Sequence, residues 1–496
     1  MVPKRAISLL KALAVVGFLY KFASVLTSSL GSHNTTPSPE PEKASLFRTQ
    51  FTQLHRDFVN LKPKCNPLDK YLEDSQDYHQ YFGYDDYKVR LDDEILAGLL
   101  DISKAQEKEL TKANKALISY LAKGSKFLSS FKSSLEESKL IRETNGIVYV
   151  SDERLFWLTF ASIKYQRDIN QDLTSIEIFT PLKSSICSEL ASGFENVHCS
   201  SFDQFLPIDI MTTFEEGYQY KSLALLLSPF ENTLYLDSDN FLLRPADELF
   251  TNEKYVSTGL VIWPDFWKRS TNPLYFKMIS KYHLMQLLHL GTMPAVESGQ
   301  MLVNKQKHLR TLILAYYYNV HGPDYFYPLF SQGFPGEGDK ETFLLASIAL
   351  DEPYHFIVTK TQISGYNEII DDVFYGQAIL QPDPSKSNSF VFLHCNYPKL
   401  KVWELDEKYT NYLTKPTEQH RSFQVVRNAK KDGDTDFIKA VGRDVELEIW
   451  TVLGGLLEQF SKHWEKIGGS SFEVSQEKIK ARLEFLKSHK EPGVAL

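Results

Sequence analysis

Cysteine is scarce in this sequence, because the chain of 496 residues contains only four. None of the four lies in a CxxC pair, which argues against a zinc ribbon. Cys187 and Cys199 are close enough in sequence to clip one loop, since an even number of cysteines in a secretory chain permits two disulfides. Cys65 and Cys395 then either pair with each other or remain thiols, and the sequence leaves both alternatives open.

An excess of basic side chains is also missing. The chain carries 63 acidic and 55 basic residues, which gives a formal net charge of -8. A protein that binds nucleic acid needs a basic patch or stripe, and the sequence shows none. We therefore expect no nucleic-acid partner. The hydrophobic fraction of 43% is ordinary for a globular protein.

Acidic residues are absent from the first 39 positions of the chain. The apolar stretch that begins at Ile7 is long enough to cross a bilayer, which takes about 20 residues, although Lys11 and Lys21 interrupt it. Three interpretations fit: a signal anchor, a cleaved signal peptide and a mitochondrial presequence. We adopt the signal anchor, with residues 1–6 as a short cytosolic tail and residues 7–30 as the transmembrane segment.

The remaining chain divides by composition and periodicity. Residues 31–44 are polar and rich in proline, which is typical of a linker, and they contain an N-glycosylation acceptor at Asn34. Residues 45–143 show apolar side chains at helical spacing and predict a helical stem that docks onto the following unit. In residues 144–490 strands alternate with helices, which predicts an α/β fold with a mainly parallel sheet flanked by helices.

Several elements of this α/β region are specific enough to be placed. The pattern predicts strands at Gly146–Val150, Ser175–Thr180, Thr233–Leu236 and Met301–Val303, and helices at Leu155–Arg167, Tyr220–Leu227, Phe343–Leu350, Glu446–Ile467 and Ser475–His489.

Two carboxylates, Asp237 and Asp239, directly follow an apolar strand. In open α/β sheets, ligands bind beyond the carboxyl ends of the strands. Carboxylates in that place suit a hard divalent cation such as Mn²⁺ or Mg²⁺, which takes oxygen ligands from the protein and from phosphates. The alternative is a capped strand end without a ligand. The same Asp-x-Asp pattern recurs in KKDGDTDF, through Asp432, Asp434 and Asp436, where a solvated loop is predicted.

Other segments supply polar groups whose role the sequence leaves open. His394 ends a strand-like run and Lys399 follows it, so the pair could meet a metal and a phosphate or be structural. Asp339 and Glu341 lie in a glycine-rich loop before a helix, which suits either a sugar contact or a favourable helix start. Glu297 lies just before an apolar strand.

Trp263 and Asp265 belong to the segment WPDFWKR, which brackets one acid between two indoles. An indole and a carboxylate suit a sugar ring, through stacking and hydrogen bonds to hydroxyls. Two buried tryptophans on either side of a turn fit the same letters, and the sequence does not separate the two interpretations.

Taken in order, six segments resemble those of the fungal Golgi α-1,2-mannosyltransferases, which begin the branches on the mannan outer chain of N-glycans. The resemblance covers roughly Gly146–Lys399, and the segments are GIVYV, QYKSLALLLSPFENTLYLDSDNF, GLVIWPDFWKRST, ESGQMLVNK, YYYNVHGPDYFYPLFSQG and GEGDKETF. It implies an A-type nucleotide-sugar glycosyltransferase fold, GDP-mannose as the donor and Mn²⁺ as the cofactor. It also implies a single-pass type II protein of the Golgi membrane with a luminal catalytic domain.

The resemblance also implies roles for particular residues. Asp237 and Asp239 would bind the metal, and by looser analogy with glycogenin-like transferases His394 would be its third ligand. Asp237, Lys399 and Lys221 would contact the donor, with Lys399 near the diphosphate. Asp339 and Glu341 would be the catalytic carboxylates beside the reacting sugar, and Trp263, Asp265 and Glu297 are the predicted substrate-binding residues. Arg167 stands where the family pattern differs and is a candidate nucleotide contact.

The expected reaction is transfer of α-mannose to a mannose 2-hydroxyl with retention, on a mannan or N-glycan acceptor. A complex with other Golgi mannosyltransferases is an expected partner. Two alternatives remain: an α-1,3-mannosyltransferase of the related fungal group, and a lectin-like or chaperone-like subunit that keeps the fold without turnover.

Overall fold

The computed structural model describes most of the chain from residue 42 onward. The described ranges are 42–68, 91–138, 140–214, 217–282, 293–367, 374–386, 388–396, 399–405, 421–427, 434–469 and 471–488. The predicted cytosolic tail, the transmembrane segment and Asn34 lie outside them. Within these ranges, no helix combines the length and the apolar character that crossing a membrane requires.

The strands form two sheets. In chain order they are β1 Arg142–Val150, β2 Ser175–Thr180, β3 Val197–Ser201, β4 Phe230–Leu236, β5 Asn240–Leu242, β6 Leu260–Lys268, β7 Pro294–Asn304, β8 His355–Phe356, β9 Gln362–Asn367, β10 Phe374–Pro382, β11 Phe390–His394, β12 Val425–Arg427 and β13 Asp434–Asp436.

The first sheet has seven strands in the order β3-β2-β1-β4-β7-β6-β8. Its pairs are parallel except that β7 runs antiparallel to both of its neighbours, β4 and β6. Both faces are covered: along β1, Ile147 and Tyr149 enter one hydrophobic core and Val148 enters the other, because alternate side chains point to opposite faces. The predicted mainly parallel α/β sheet is therefore confirmed.

The second sheet has six strands in the order β13-β12-β9-β10-β11-β5, and all its pairs are antiparallel. Its edge strand β5 follows β4 after a turn of three residues, Asp237–Asp239. The chain therefore passes from the first sheet directly into the second, and the predicted acid pair lies in that passage.

The α-helices surround both sheets. They are α1 Glu42–Asn60, α2 Asp93–Gly98, α3 Lys104–Tyr120, α4 Lys126–Glu137, α5 Phe156–Asp168, α6 Ser185–Ala191, α7 Ile208–Met211, α8 Tyr220–Leu227, α9 Asp247–Phe250, α10 Glu253–Thr258, α11 Pro273–Met278, α12 Lys305–Val320, α13 Tyr327–Ser331, α14 Thr342–Ala349, α15 Phe437–Val441, α16 Val445–Gln459, α17 Trp464–Ile467 and α18 Phe472–Ser488.

The helices of the predicted stem pack against α12 of the α/β region. The Phe51 ring lies 5.3 Å from that of Tyr316, and the Phe58 ring lies 5.3 Å from that of Tyr317, measured between ring centroids. His55 Nδ1 is 2.7 Å from the Tyr316 hydroxyl. From Lys43 onward the chain forms one compact unit. The first helix begins at Glu42, which shortens the linker predicted to end at residue 44.

One of the predicted disulfides is present. Cys187 on α6 is bonded to Cys199 on β3, so the bridge fastens a helix to the edge strand of the first sheet. Cys65 and Cys395 are free thiols. Of the two alternatives left open for that pair, the structure therefore shows the unpaired one.

Candidate active site

The passage between the sheets brings the acid pair to a histidine. Asn240 of β5 pairs in register with His394 of β11, and the Cys395 backbone N–H donates to the Asp239 carbonyl oxygen at 2.9 Å. On the other side, the Asp237 N–H donates to the Gly299 carbonyl oxygen at 2.8 Å, which continues the pairing of β4 with β7. Residues 155 positions apart in sequence thus become neighbours.

Asp237, Asp239 and His394 form a cluster that could hold a metal ion. One ligand atom from each lies within 4.8 Å of the others, and His394 Nε2 is 3.1 Å from Asp239 Oδ1. Two carboxylates and one imidazole suit a divalent first-row ion such as Mn²⁺, for which carboxylate oxygens are preferred ligands. The structure thus brings together the three ligands predicted from the sequence, and their chemistry fits the predicted ion.

Positive charge surrounds the buried carboxylate of Asp239. Lys399 Nζ forms an ion pair with Asp239 Oδ2, and His394 lies on Oδ1. Burial alone would raise the pKa of Asp239, but His394 and Lys399 outweigh it and hold that pKa well below its usual range. For His394, burial lowers the pKa, while the negative charges of Asp239 and Glu297 outweigh burial and raise it to about 9.

Lys221 joins the acid pair to the glycine-rich loop. This buried side chain on α8 donates to the Ser298 carbonyl at 2.7 Å and to the Ser298 hydroxyl at 2.9 Å. Its Nζ is 3.1 Å from Asp339 Oδ2 and 3.5 Å from Asp237 Oδ1. Burial favours the neutral amine, but the two carboxylates outweigh burial and raise the pKa of Lys221. The ammonium therefore stays charged and compensates both acids.

Asp339 reaches the site through Lys221. Burial raises the pKa of its carboxyl, and the charge of Lys221 opposes that effect. Ser298 Oγ lies 3.4 Å from Asp339 Oδ1, so two donors hold the carboxylate toward the acid pair. The sequence predicted a carboxylate beside the reacting sugar at this position, and Asp339 lies where one could act.

Glu297 lies behind the histidine. Its Oε1 accepts the Gly299 N–H at 2.7 Å and is 3.7 Å from His394 Nδ1. A side chain at Gly299 would collide with this arrangement, because a Cβ there would come within 2.6 Å of His394 Cε1 and 2.9 Å of Glu297 Oε1. Gly299 and Ser298 were not predicted to matter, although both belong to the ESGQ segment that marked Glu297.

The structure corrects the prediction for Trp263 and Asp265. The Trp263 indole is fully buried, donates from Nε1 to the Pro382 carbonyl at 2.9 Å and packs edge-on against Phe392. No face of it is available to a sugar, so the structural interpretation of the two-tryptophan segment is correct for this residue. Asp265 is likewise buried and forms an ion pair with Lys340 at 2.8 Å.

Glu341 and Arg167 also have structural surroundings. Glu341 accepts the Val296 N–H at 2.8 Å, and its other oxygen is 3.8 Å from Arg269 Nε, so it fastens the start of α14 to β7. Arg167 donates to the backbone carbonyls of Glu195, Asp172 and Thr174. These contacts are those of supporting groups and differ from the predicted sugar and nucleotide contacts.

A mainly parallel sheet flanked by helices, with an acid pair beyond a strand end and a histidine and two lysines around it, fits the A-type nucleotide-sugar glycosyltransferase that the sequence resemblance implies. The comparisons with known proteins agree. A mannosyltransferase family model matches residues 144–390. Over these residues, which are just under half of the chain, the protein is similar to this mannosyltransferase family.

Named relatives come from yeasts. The chain is 35% identical over 355 residues to "Alpha-1,2-mannosyltransferase MNN2" of Candida albicans, which covers 62% of this chain and 59% of that protein. It is 29% identical to "Alpha-1,2-mannosyltransferase MNN2" of Saccharomyces cerevisiae, over 83% of this chain and 80% of the relative. The match therefore spans somewhat under two thirds of the Candida protein.

Among solved structures, the mannosyltransferase Ktr4p from S. cerevisiae matches 62% of this chain and 84% of its own. The TM-score is 0.29 and the sequence identity is 11%. At these values the match supplies no argument about individual residues, and none is taken from it.

Proposed function

We propose that this protein transfers α-mannose from GDP-mannose to the 2-hydroxyl of a mannose residue in mannan or N-glycan outer chains, with retention and with a divalent metal. The observation that carries the proposal is the convergence of Asp237, Asp239 and His394 in a chain that is similar to a mannosyltransferase family. The relatives named as α-1,2-mannosyltransferases support the donor sugar and the linkage.

The metal site would be formed by Asp237, Asp239 and His394. A bound Mn²⁺ would supply Lewis-acid neutralisation of the leaving diphosphate. Lys399 adds a second positive charge at the same place: its side chain is 48% exposed, so it can reach from Asp239 toward a bound phosphate as a point charge. Preorganised charges of this kind stabilise a leaving anion because they need no reorganisation during the reaction.

The route by which the mannose is transferred decides whether Asp339 takes part directly. Either the acceptor hydroxyl attacks from the face that the diphosphate leaves, or a carboxylate forms a covalent glycosyl intermediate first. Asp339 is the candidate carboxylate for the second route, which is supported by the contacts that hold it near the acid pair, with Lys221 and Ser298. Glu341 is not placed for that role, since its contacts are to Val296 and Arg269. A trapped adduct on Asp339 would establish the covalent route.

The proposed location is the Golgi lumen, with residues 7–30 as a type II signal anchor. The disulfide between Cys187 and Cys199 supports an oxidising compartment, where such bonds persist. Asn34 would then carry an N-glycan. A shift in gel mobility on glycosidase treatment, lost in Asn34→Gln, tests this topology, and a protease-sensitive catalytic domain in sealed microsomes would contradict it.

The experiment that tests the function uses the purified full chain with GDP-mannose and an α-1,6-linked mannose oligomer, with and without Mn²⁺. The product linkage is read by NMR. We expect an α-1,2 product that requires the metal. The matched control is the double variant Asp237→Ala, Asp239→Ala, which should lose transfer while its folded circular-dichroism spectrum remains.

Other outcomes have distinct meanings. An α-1,3 product would retain the donor and the metal site and would move the enzyme to the related fungal group. Failure of the wild-type chain to bind GDP-mannose at all would contradict the proposal. Rescue by the double variant of cells that lack the wild-type gene would instead favour the lectin-like or chaperone-like role.

A further inference from the structure

Aromatic rings are abundant in this chain, and in the described ranges nearly all of them are buried or partly buried. The sequence contains 33 Phe, 26 Tyr and 6 Trp. Tyr218 is the most exposed aromatic side chain among the residues that the structure describes, with 38% of its surface accessible. Near a candidate sugar site, a partly exposed tyrosine offers both apolar ring area and a polar hydroxyl.

Tyr218 is close to the candidate active site both along the chain and through its contact with the glycine-rich loop. It lies in the single turn Gly217–Gln219 that leads into α8, three residues before Lys221. Gln219 is buried and donates from Nε2 to the Asn319 carbonyl at 2.6 Å, which fixes the turn to α12. The exposed ring is therefore held by a rigid backbone.

The ring also touches the loop that carries Asp339. A Cβ at Gly338 would lie 3.2 Å from Tyr218 Cε2 and 3.4 Å from Cδ2, so the ring packs on the Gly338 backbone. Gly338 has a φ of +157°, which an L side chain rarely adopts, and this is a second reason for glycine there. The Tyr218 ring centroid also lies 5.7 Å from that of Tyr327, in a tilted arrangement.

These contacts connect the side chains of the candidate active site one after another. Lys221 links Asp237 to Asp339 at 3.5 and 3.1 Å, and Tyr218 lies against the residue next to Asp339. The donor's diphosphate belongs at the Asp237 end, where the metal cluster is. In this order of contacts the ring comes after Asp339, so a second sugar that reaches the site from the end away from the metal cluster would meet it.

We propose that Tyr218 is the stacking platform for the acceptor sugar, so that a mannose residue of the acceptor lies with its C–H face on the exposed face of the ring. The inference rests on the proposed function and adds the acceptor subsite to it. A rigid aromatic ring gives apolar contact area at little entropic cost, and its hydroxyl adds a polar handle for sugar hydroxyls.

The test compares three substitutions in the full chain, with KM values for an α-1,6-mannose oligomer and for GDP-mannose measured separately. Tyr218→Ala and Tyr218→Leu should raise the acceptor KM about tenfold and the GDP-mannose KM less than twofold. Tyr218→Phe restores the ring and should return the acceptor KM to within about threefold of the wild type. Leucine keeps apolar packing on Gly338, so it separates lost stacking from lost folding.

The control is Leu173→Ala, since Leu173 is 50% exposed, precedes β2 and is not among the contacts of Tyr218 named above. It should change neither KM. An acceptor KM that is unaffected by Tyr218→Ala and Tyr218→Leu would overturn the inference, and so would a rise confined to the GDP-mannose KM.

Measuring oligomer binding without turnover tests the Tyr218 subsite independently of the proposed transfer reaction. Saturation-transfer NMR of the wild-type chain with the oligomer should give a signal that Tyr218→Ala loses. If the wild type transfers no mannose but this loss is seen, the sugar platform stands and the proposed reaction fails. If the wild type transfers mannose and Tyr218→Ala binds the oligomer as tightly as the wild type, the platform fails and the reaction stands.

Discussion

Two Asp-x-Asp patterns in this chain lie in different surroundings. Asp237 and Asp239 occupy the passage between the two sheets, where Asp239 is buried. Asp434 and Asp436 belong to the short edge strand β13, which pairs with β12 at the far end of the second sheet. Because the two pairs have the same sequence pattern, any difference between them comes from the surrounding structure.

At the edge strand each acid is satisfied by near neighbours. Asp434 pairs with Arg427, directly opposite on β12, at 2.9 Å, and accepts from Asn367 at 2.9 Å. Asp436 caps α15 by accepting the Lys439 N–H at 2.8 Å. Both carboxylates therefore already accept hydrogen bonds, and neither takes part in a three-ligand cluster among the described residues.

Between the sheets the partners come from distant parts of the chain. His394 arrives on β11, Lys399 follows it, and Lys221 arrives on α8. Such convergence keeps several buried ionisable groups together, which is typical of functional sites. An acid pair becomes a candidate metal site when non-local elements bring it further ligands, and it remains a surface feature when local pairing satisfies it.

The largest expected effect comes from removing the negative charge of one aspartate in each Asp-x-Asp pair. Asp239→Asn keeps the volume but removes the charge that faces His394 and Lys399, so mannosyl transfer should fall by a factor on the order of 10³ and Mn²⁺ binding should weaken. Asp434→Asn is the matched control and should leave both unchanged, with a stability loss of about 1 kcal/mol or less. Equal losses in the two variants would remove the distinction.

Lys221 and Lys399 allow the effect of a buried charge to be compared with that of a half-exposed charge. Lys221→Met should destabilise the fold by about 3–5 kcal/mol, because it leaves Asp237 and Asp339 without their shared cation. Lys399→Met should cost less than about 1 kcal/mol, since its side chain is 48% exposed, yet it should lower kcat by roughly 10². Urea unfolding and steady-state kinetics measure the two effects. A large loss of stability in Lys399→Met would show that its role is structural.

Gly299 tests whether the geometry of His394 matters. Gly299→Ala places a Cβ within 2.6 Å of His394 Cε1, so the imidazole must shift. Mn²⁺ affinity should weaken by roughly 10–100-fold, as when a supporting group of a metal ligand is changed. Gly98→Ala is the control, because nothing lies within 4 Å of a Cβ there. Titration calorimetry distinguishes them, and equal affinities would mean that His394 is no ligand.

The smallest effect concerns histidines that are kept neutral, in contrast to His394. Burial lowers the pKa of His55 and of His321 to about 4, where the stem packs on α12. A folded pKa below the unfolded value of about 6.5 means that stability present above pH 6.5 is lost as the pH falls toward 4. Each histidine should cost up to about 2 kcal/mol at pH 5. Thermal unfolding at pH 7 and 5 measures this, and His55→Gln should halve the pH dependence.

Local sequence pattern was enough to predict many of the helices and strands. The predicted strand Ser175–Thr180 and helix Tyr220–Leu227 have the bounds seen in the structure, because burial and periodicity are strong in both. The predicted helix Glu446–Ile467 is wrong in one respect: α16 ends at Gln459 and α17 starts at Trp464, after a tight turn. The predicted loop around Asp434 is instead the strand β13, because it pairs with β12, which is itself held in the sheet by the distant strand β9.

The site was predictable where chemistry and strand position coincide. Asp237 and Asp239 follow from the strand before them, whereas the approach of His394 depends on the pairing of β5 with β11 and was reached only through resemblance. Trp263 and Glu341 show the limit, since their residue types suit a sugar site but their side chains point into packed interiors. Side-chain direction is set by tertiary contacts that a single sequence does not display.

The most direct test of the account is a crystal of the full chain grown with Mn²⁺ and GDP, with anomalous scattering recorded from the metal. The account predicts one strong peak within about 2.0–2.4 Å of Asp237, Asp239 and His394 side-chain atoms, and none at Asp434 or Asp436. A peak at the edge strand, or crystals that bind GDP with no metal between the three side chains, would contradict the central claim that this convergence forms the metal site.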